Sequence, residues 1–120
     1  MALVAATAIV LPRTGLGAPF PGATIIKAPA QVPTTDAKTR YKECYVRYWL
    51  KTTAPITIVA NFYRTGATTN GAKLFDDSGN KFPDERMLTF LNPHFMFVIM
   101  KREYESTTVS VTYKVATRCG

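Results

Sequence analysis

The sequence predicts an α+β fold: one helix, about residues 55–70, packed on a four- to five-stranded, mainly antiparallel sheet that ends in a three-strand meander. Three observations carry this expectation. Residues 52–74 contain a single amphipathic helical stretch with both ends marked. The segments around it alternate with the period of strands. The last third of the chain is a series of strand-like runs separated by short turns.

The helix is the clearest element. Thr52 or Thr53 is placed to cap its first amides, and Pro55 suits the first turn, where a missing N–H costs nothing. Ile56, Val59, Ala60, Phe62 and Tyr63 recur at helical spacing and form one apolar stripe. Asn70-Gly71 supplies the left-handed residue that ends a helix.

Ahead of the helix, residues 12–33 are punctuated by Pro and Gly, and Ala23–Ile26 reads as a short edge strand after a Pro21-Gly22 turn. Gln31 to Lys38 reads as a polar connection. Tyr41 to Lys51 is a strong strand, with Cys44, Val46, Tyr48 and Leu50 expected toward the helix and Tyr45, Arg47 and Trp49 expected away from it. After the helix, Lys73–Phe75 is a short strand, followed by a locally negative loop over Asp76–Glu85. Met87–Leu91 is the next strand, and Asn92-Pro93-His94 a tight turn. Phe95–Lys101 is apolar on both faces, which places it in mid-sheet. Thr107–Ala116 alternates and is expected to keep one face wet.

At 120 residues the chain has room for one core. Residues 21–120 are expected to form that single domain, preceded by an apolar arm or signal remnant over 1–20. Within the arm, Ala2–Leu11 has the length of a secretory h-region, and Leu16-Gly17-Ala18 resembles a small-residue cleavage site, but a basic n-region is missing. The run is too short to cross a bilayer as a helix. Cys44 and Cys119 are consistent with one disulfide, which would close a long loop and contribute roughly 4 kcal/mol in the chain-entropy model. Such a bond implies an oxidising compartment. Two unrelated thiols in a cytoplasmic protein are the alternative.

The formal charge of +7 permits an anionic partner, although the basic residues are scattered from Arg13 to Arg118 without a run. No catalytic, cofactor-binding or metal-binding set emerges. The one histidine, His94, has no ligand neighbours at metal spacing, and Asp76, Asp77, Asn80 and Asp84 fail the spacing of a calcium loop. Phosphate-loop, dinucleotide and nucleophile-elbow motifs are all missing. The reading is therefore not an enzyme and has no cofactor.

Pro21-Gly22-Ala23, the Thr52-Thr53-Ala54-Pro55 helix entry, Phe62-Tyr63-Arg64 and Gly71 together resemble small, uncharacterised bacterial envelope domains, exported or lipoprotein-borne. In those domains a PGA segment, a T-x-x-P helix start and an FYR…G helix end precede a strand meander. The resemblance runs from about Gly22 to Lys114 and departs at Ala72, where an aromatic is usual, and at Gly66, where a better helix former is usual. It implies an exported accessory domain of the periplasm or cell envelope and transfers no functional residues.

The surface that stands out is the strand face with Tyr45, Arg47 and Trp49, joined by Lys101 and Arg102, with Tyr104 and Tyr113 as further members. Aromatics among basic residues suit a protein interface or stacked bases and sugars. The expectation is a non-enzymatic binding or assembly domain that presents a sheet face or an edge strand to a protein partner. Ala23–Ile26 and Thr107–Ala116 are its candidate edges, and the apolar arm is a route to a homo-oligomer. The alternative is a basic protein that binds nucleic acid, glycan or another anionic polymer.

Overall fold

The computed structural model describes residues 19–35, 42–92 and 95–116. Within them the order is β1 (Thr24–Thr35), β2 (Lys42–Thr52), α1 (Ile56–Thr69), β3 (Lys73–Asp77), β4 (Glu85–Asn92), β5 (Met96–Glu103) and β6 (Ser106–Ala116). All six strands form one antiparallel sheet with spatial order β1-β2-β6-β5-β4-β3. The α+β class and the single helix are as expected, with one strand more than the upper count. The meander runs through four strands, β3 to β6.

The helix bounds match closely, but its cap does not. Pro55 is itself the N-cap, extended at φ −68° and ψ 157°, and no side chain caps the helix. Its carbonyl accepts the amides of Ile58 and Val59 instead. Thr52 Oγ1 is turned to the Ala54 amide, one residue short of the helix. At the other end Gly71 takes φ +82°. The Ala72 amide reaches the Ala67 carbonyl and the Gly71 amide reaches Thr68, two bonds that close the helix on a left-handed residue.

α1 joins β2, next to one edge of the sheet, to β3 at the far edge. It therefore crosses one face, packing on β3, β4 and β5. Val59, Ala60, Tyr63 and Ala67 are its buried residues. Beneath it, Tyr48, Val111, Val98 and Leu88 lie opposite one another across four strands, all buried. Each large apolar side chain so buried contributes about 1.5–3 kcal/mol.

Three local expectations are corrected. β1 is not a short Ala23–Ile26 strand followed by a polar connection; it continues through Gln31 to Thr35, with irregular register at Ile25/Lys27 and Lys27/Ala30. Its prolines, Pro29 and Pro33, are tolerated because an edge strand needs only one row of backbone bonds. β6 is not an edge: it lies between β2 and β5. Nor is its polar face wet, since Ser110 and Thr112 are only 1% and 2% exposed. In each row these small residues stand between two large ones, Trp49 and Ile99 or Arg47 and Phe97, which shut water out.

The segment before β1 meets the middle of the helix. The Phe20 amide donates to the Tyr63 hydroxyl at 3.2 Å, and the Phe20 and Phe62 rings meet edge to face at 5.2 Å. Gly22, at φ +74°, makes the turn that leads into β1. The segment before the first strand is thereby fastened to the helix.

Candidate functional site

Alternation along the strands separates the sheet into two faces. The face under α1 holds the core. The opposite face carries Tyr45, Arg47, Trp49 and Lys51 from β2, Thr108, Ser110, Thr112 and Lys114 from β6, and Phe97, Ile99 and Lys101 from β5. Met87, Thr89 and Leu91 continue it on β4, and Lys27 on β1 stands over Trp49.

The face divides chemically. On β1, β2 and β6 its described charged side chains are Lys27, Arg47, Lys51 and Lys114. On β3, β4 and β5 the face exposes two apolar residues, Met87 at 36% and Leu91 at 45%, and here the acids appear: Asp76, Glu85 and Glu103. Lys101 and Glu85 are 4.0 Å apart and exposed, a pair that adds little to stability.

Individual side chains are held in definite ways. Arg47 Nε donates to Thr112 Oγ1 at 2.8 Å, which orients the guanidinium along the row. The Lys27 ammonium lies 5.7 Å from the Trp49 ring centre, a cation–π contact. Tyr45, Phe95 and Phe97 form a chain of edge-to-face rings with spacings of 6.1 and 5.6 Å.

Of the residues singled out from the sequence, Tyr45, Arg47, Trp49 and Lys101 share this face. Arg102 does not. Its position in β5 points it to the helix side, where Nη1 donates to the Thr53 and Ala54 carbonyls and to Thr107 Oγ1. Tyr113 is also on the helix side, in the core with its ring 6.3 Å from that of Tyr48. Tyr104 sits at the tip of the β5–β6 hairpin with φ +56°, fully exposed. Lys27, Lys51, Phe97, Ile99, Met87 and Leu91 were missed. Parity counted from Trp49 reaches Lys51, but β5 is apolar on both faces, so only register shows which of its residues look outward.

The expected negative loop is largely neutralised at its start. Asp77 accepts two hydrogen bonds from Arg86 and lies 3.5 Å from Arg64. Arg86 holds the Asp77 carboxyl below the usual carboxylate range, and the Gly79 amide adds to this against the opposing effect of burial. A shallow depression of about 380 Å³ lies between residues 82–85 and 101–103. Among the described residues, no group of three His, Cys, Asp or Glu could hold a metal, and no helix is long and apolar enough to cross a membrane. His94, Cys119 and the arm over residues 1–18 lie outside the described residues.

No family model, curated protein or solved structure matches this chain.

Proposed function

We propose that this chain is a non-enzymatic binding or assembly domain of the bacterial envelope that presents the open face of its sheet to a protein partner. The observation that carries the reading is the asymmetry of the sheet. One face is covered by α1 over β3, β4 and β5, while the other exposes Met87 and Leu91 beside a basic, aromatic half. Exposed apolar side chains next to fixed aromatics and an arginine are the composition of an interface.

The face suits this role better than either edge. β1 carries two prolines, Lys27 and two register shifts. β3 is five residues long, irregular in register and acidic at its end. Those are the devices that discourage strand addition.

The envelope assignment draws on the sequence resemblance and on the proposed pairing of Cys44 with Cys119. Cys44 lies opposite Ala116, and Cys119 follows only three residues later. A homo-oligomer through the apolar arm belongs to the same reading. The cations of the open face favour a second one, binding of nucleic acid or another anionic polymer.

The test is site-specific photocrosslinking in living cells, with the reactive group at Met87, Leu91 or, as control, Ile58 on the exposed side of α1. The expected result is a discrete protein adduct from the first two positions and none from Ile58, in the periplasmic or envelope fraction. Adducts to nucleic acid, or a protein adduct from Ile58 alone, would sink the proposal.

A further inference from the structure

The geometry points to an acidic partner, with Arg47 as the anchor that receives one of its carboxylates; this inference rests on the open face being a protein-binding surface. Arg47 is half-buried, and its Nε is spent on Thr112, itself almost fully buried. No carboxylate among the described residues pairs with it. Asp77 serves Arg86 and Arg64, and Arg102 is turned to backbone carbonyls on the other side. A partly desolvated charge without a counter-charge is unfavourable until one arrives. A guanidinium fixed through Nε presents its terminal nitrogens in the planar fork that fits a carboxylate.

The surroundings narrow the class of partner. Lys27 and Lys51 add positive charge on either side of Trp49, while Met87 and Leu91 offer apolar contact on the other half. The complement is a protein surface with carboxylates beside apolar side chains. Single-stranded nucleic acid fits less well, because it needs open ring faces on which to stack. Here Trp49 already has Lys27 above it, and Tyr45, Phe95 and Phe97 are engaged with one another. A second copy would bring the same excess of positive charge, +7 per chain, and so oppose its own docking.

The experiment is an amide-resolved NMR titration of the full chain with three probes: a peptide of alternating Glu and Leu, one of alternating Lys and Leu, and a single-stranded oligonucleotide. The Glu–Leu peptide is expected to shift Arg47, Thr112, Ile99 and Met87 and to bind more weakly as salt is raised. Arg47→Gln should weaken it about tenfold, the worth of one charge-assisted pair, with the rest of the spectrum unchanged. Thr112→Val, which frees Nε, should give a smaller loss in the same direction. Equal binding of the Lys–Leu peptide, or full affinity in Arg47→Gln, overturns the acidic partner but leaves a protein-binding face standing. Tighter binding of the oligonucleotide overturns both. Shifts away from this face with either peptide also refute the inference, and the crosslinks from Met87 and Leu91 then judge the underlying reading separately.

Discussion

Arg86 holds Asp77 with two parallel hydrogen bonds, Nε to Oδ1 at 2.9 Å and Nη2 to Oδ2 at 2.8 Å, across the β3–β4 turn. Both side chains are largely buried, at 12% and 16% exposed, and Arg64 approaches the same carboxylate from α1. The pair thus joins the edge strand, its neighbour and the helix at one point. Asp77→Asn leaves Arg86 facing a neutral group and should cost about 2 kcal/mol at neutral pH, read from urea unfolding. The folded-state pKa of Asp77 lies below that of the unfolded chain, about 3.9. Its contribution is therefore complete above that value and fades as pH falls through the folded pKa. The difference between wild type and Asp77→Asn should shrink over that acid range. A difference unchanged from pH 7 to the acid limit would count against it.

Tyr63 gives the alkaline counterpart. Burial pushes its hydroxyl up to about 12, partly offset by the hydrogen bond from the Phe20 amide. Tyr48 is raised further, by burial first and then by its neighbours Tyr63 and Tyr113. A phenol with a raised folded pKa contributes fully below the unfolded value, about 10, and less as pH climbs toward the folded one. Stability should therefore fall above pH 10, by up to about 1.4 kcal/mol per pH unit for each such tyrosine. Tyr63→Phe should make that decline shallower while costing about 1 kcal/mol at neutral pH through the orphaned Phe20 amide. Equilibrium unfolding across pH 8 to 12 checks both.

The β2–α1 connection hangs on Thr107. Its hydroxyl donates to the Ala54 carbonyl at 2.6 Å and accepts from Arg102 at 2.9 Å. Thr107→Val keeps the shape but removes both bonds, leaving the Ala54 carbonyl and the guanidinium only their contact with each other and with Thr53, with an expected loss of about 1 kcal/mol. Arg102→Met should lower stability as well and leave binding by the open face intact, whereas Arg47→Gln should do the reverse. Paired melting and titration of the two arginine variants would expose a wrong assignment directly.

For the cysteines, intact mass after thiol alkylation is decisive. The native chain is expected to take no label before reduction and two after it. Cys44→Ser should then lower stability by as much as roughly 4 kcal/mol, the chain-entropy value for so long a loop. Immediate labelling of both thiols in the native chain would remove the oxidising-compartment argument.

Much of the fold was legible because its signals are local. Asn70-Gly71 announced the helix end, and the alternation of Tyr45, Arg47 and Trp49 against Tyr48 and Leu50 correctly separated surface from core. Pro29 and Pro33 were misleading, since proline argues against a strand unless that strand is an edge, and edge status is not written locally. Lys101 and Arg102 were expected on one surface; as neighbours in a strand they point to opposite faces. The candidate site was half visible: β2 named its basic and aromatic members, but the apolar half on β4 and β5 had no outward signature.

The sequence by itself determined the class of fold, the place of its helix and which side of β2 meets the core, since each depends on a period or a cap within a few residues. Strand order was decided only by the tertiary structure. Setting β6 between β2 and β5 buried Ser110 and Thr112, gave Arg47 a hydroxyl to lean on and brought Met87 and Leu91 onto the same face as Trp49. Those neighbours are far apart along the chain, and their pairing is set by strand order, which no local stretch of sequence encodes.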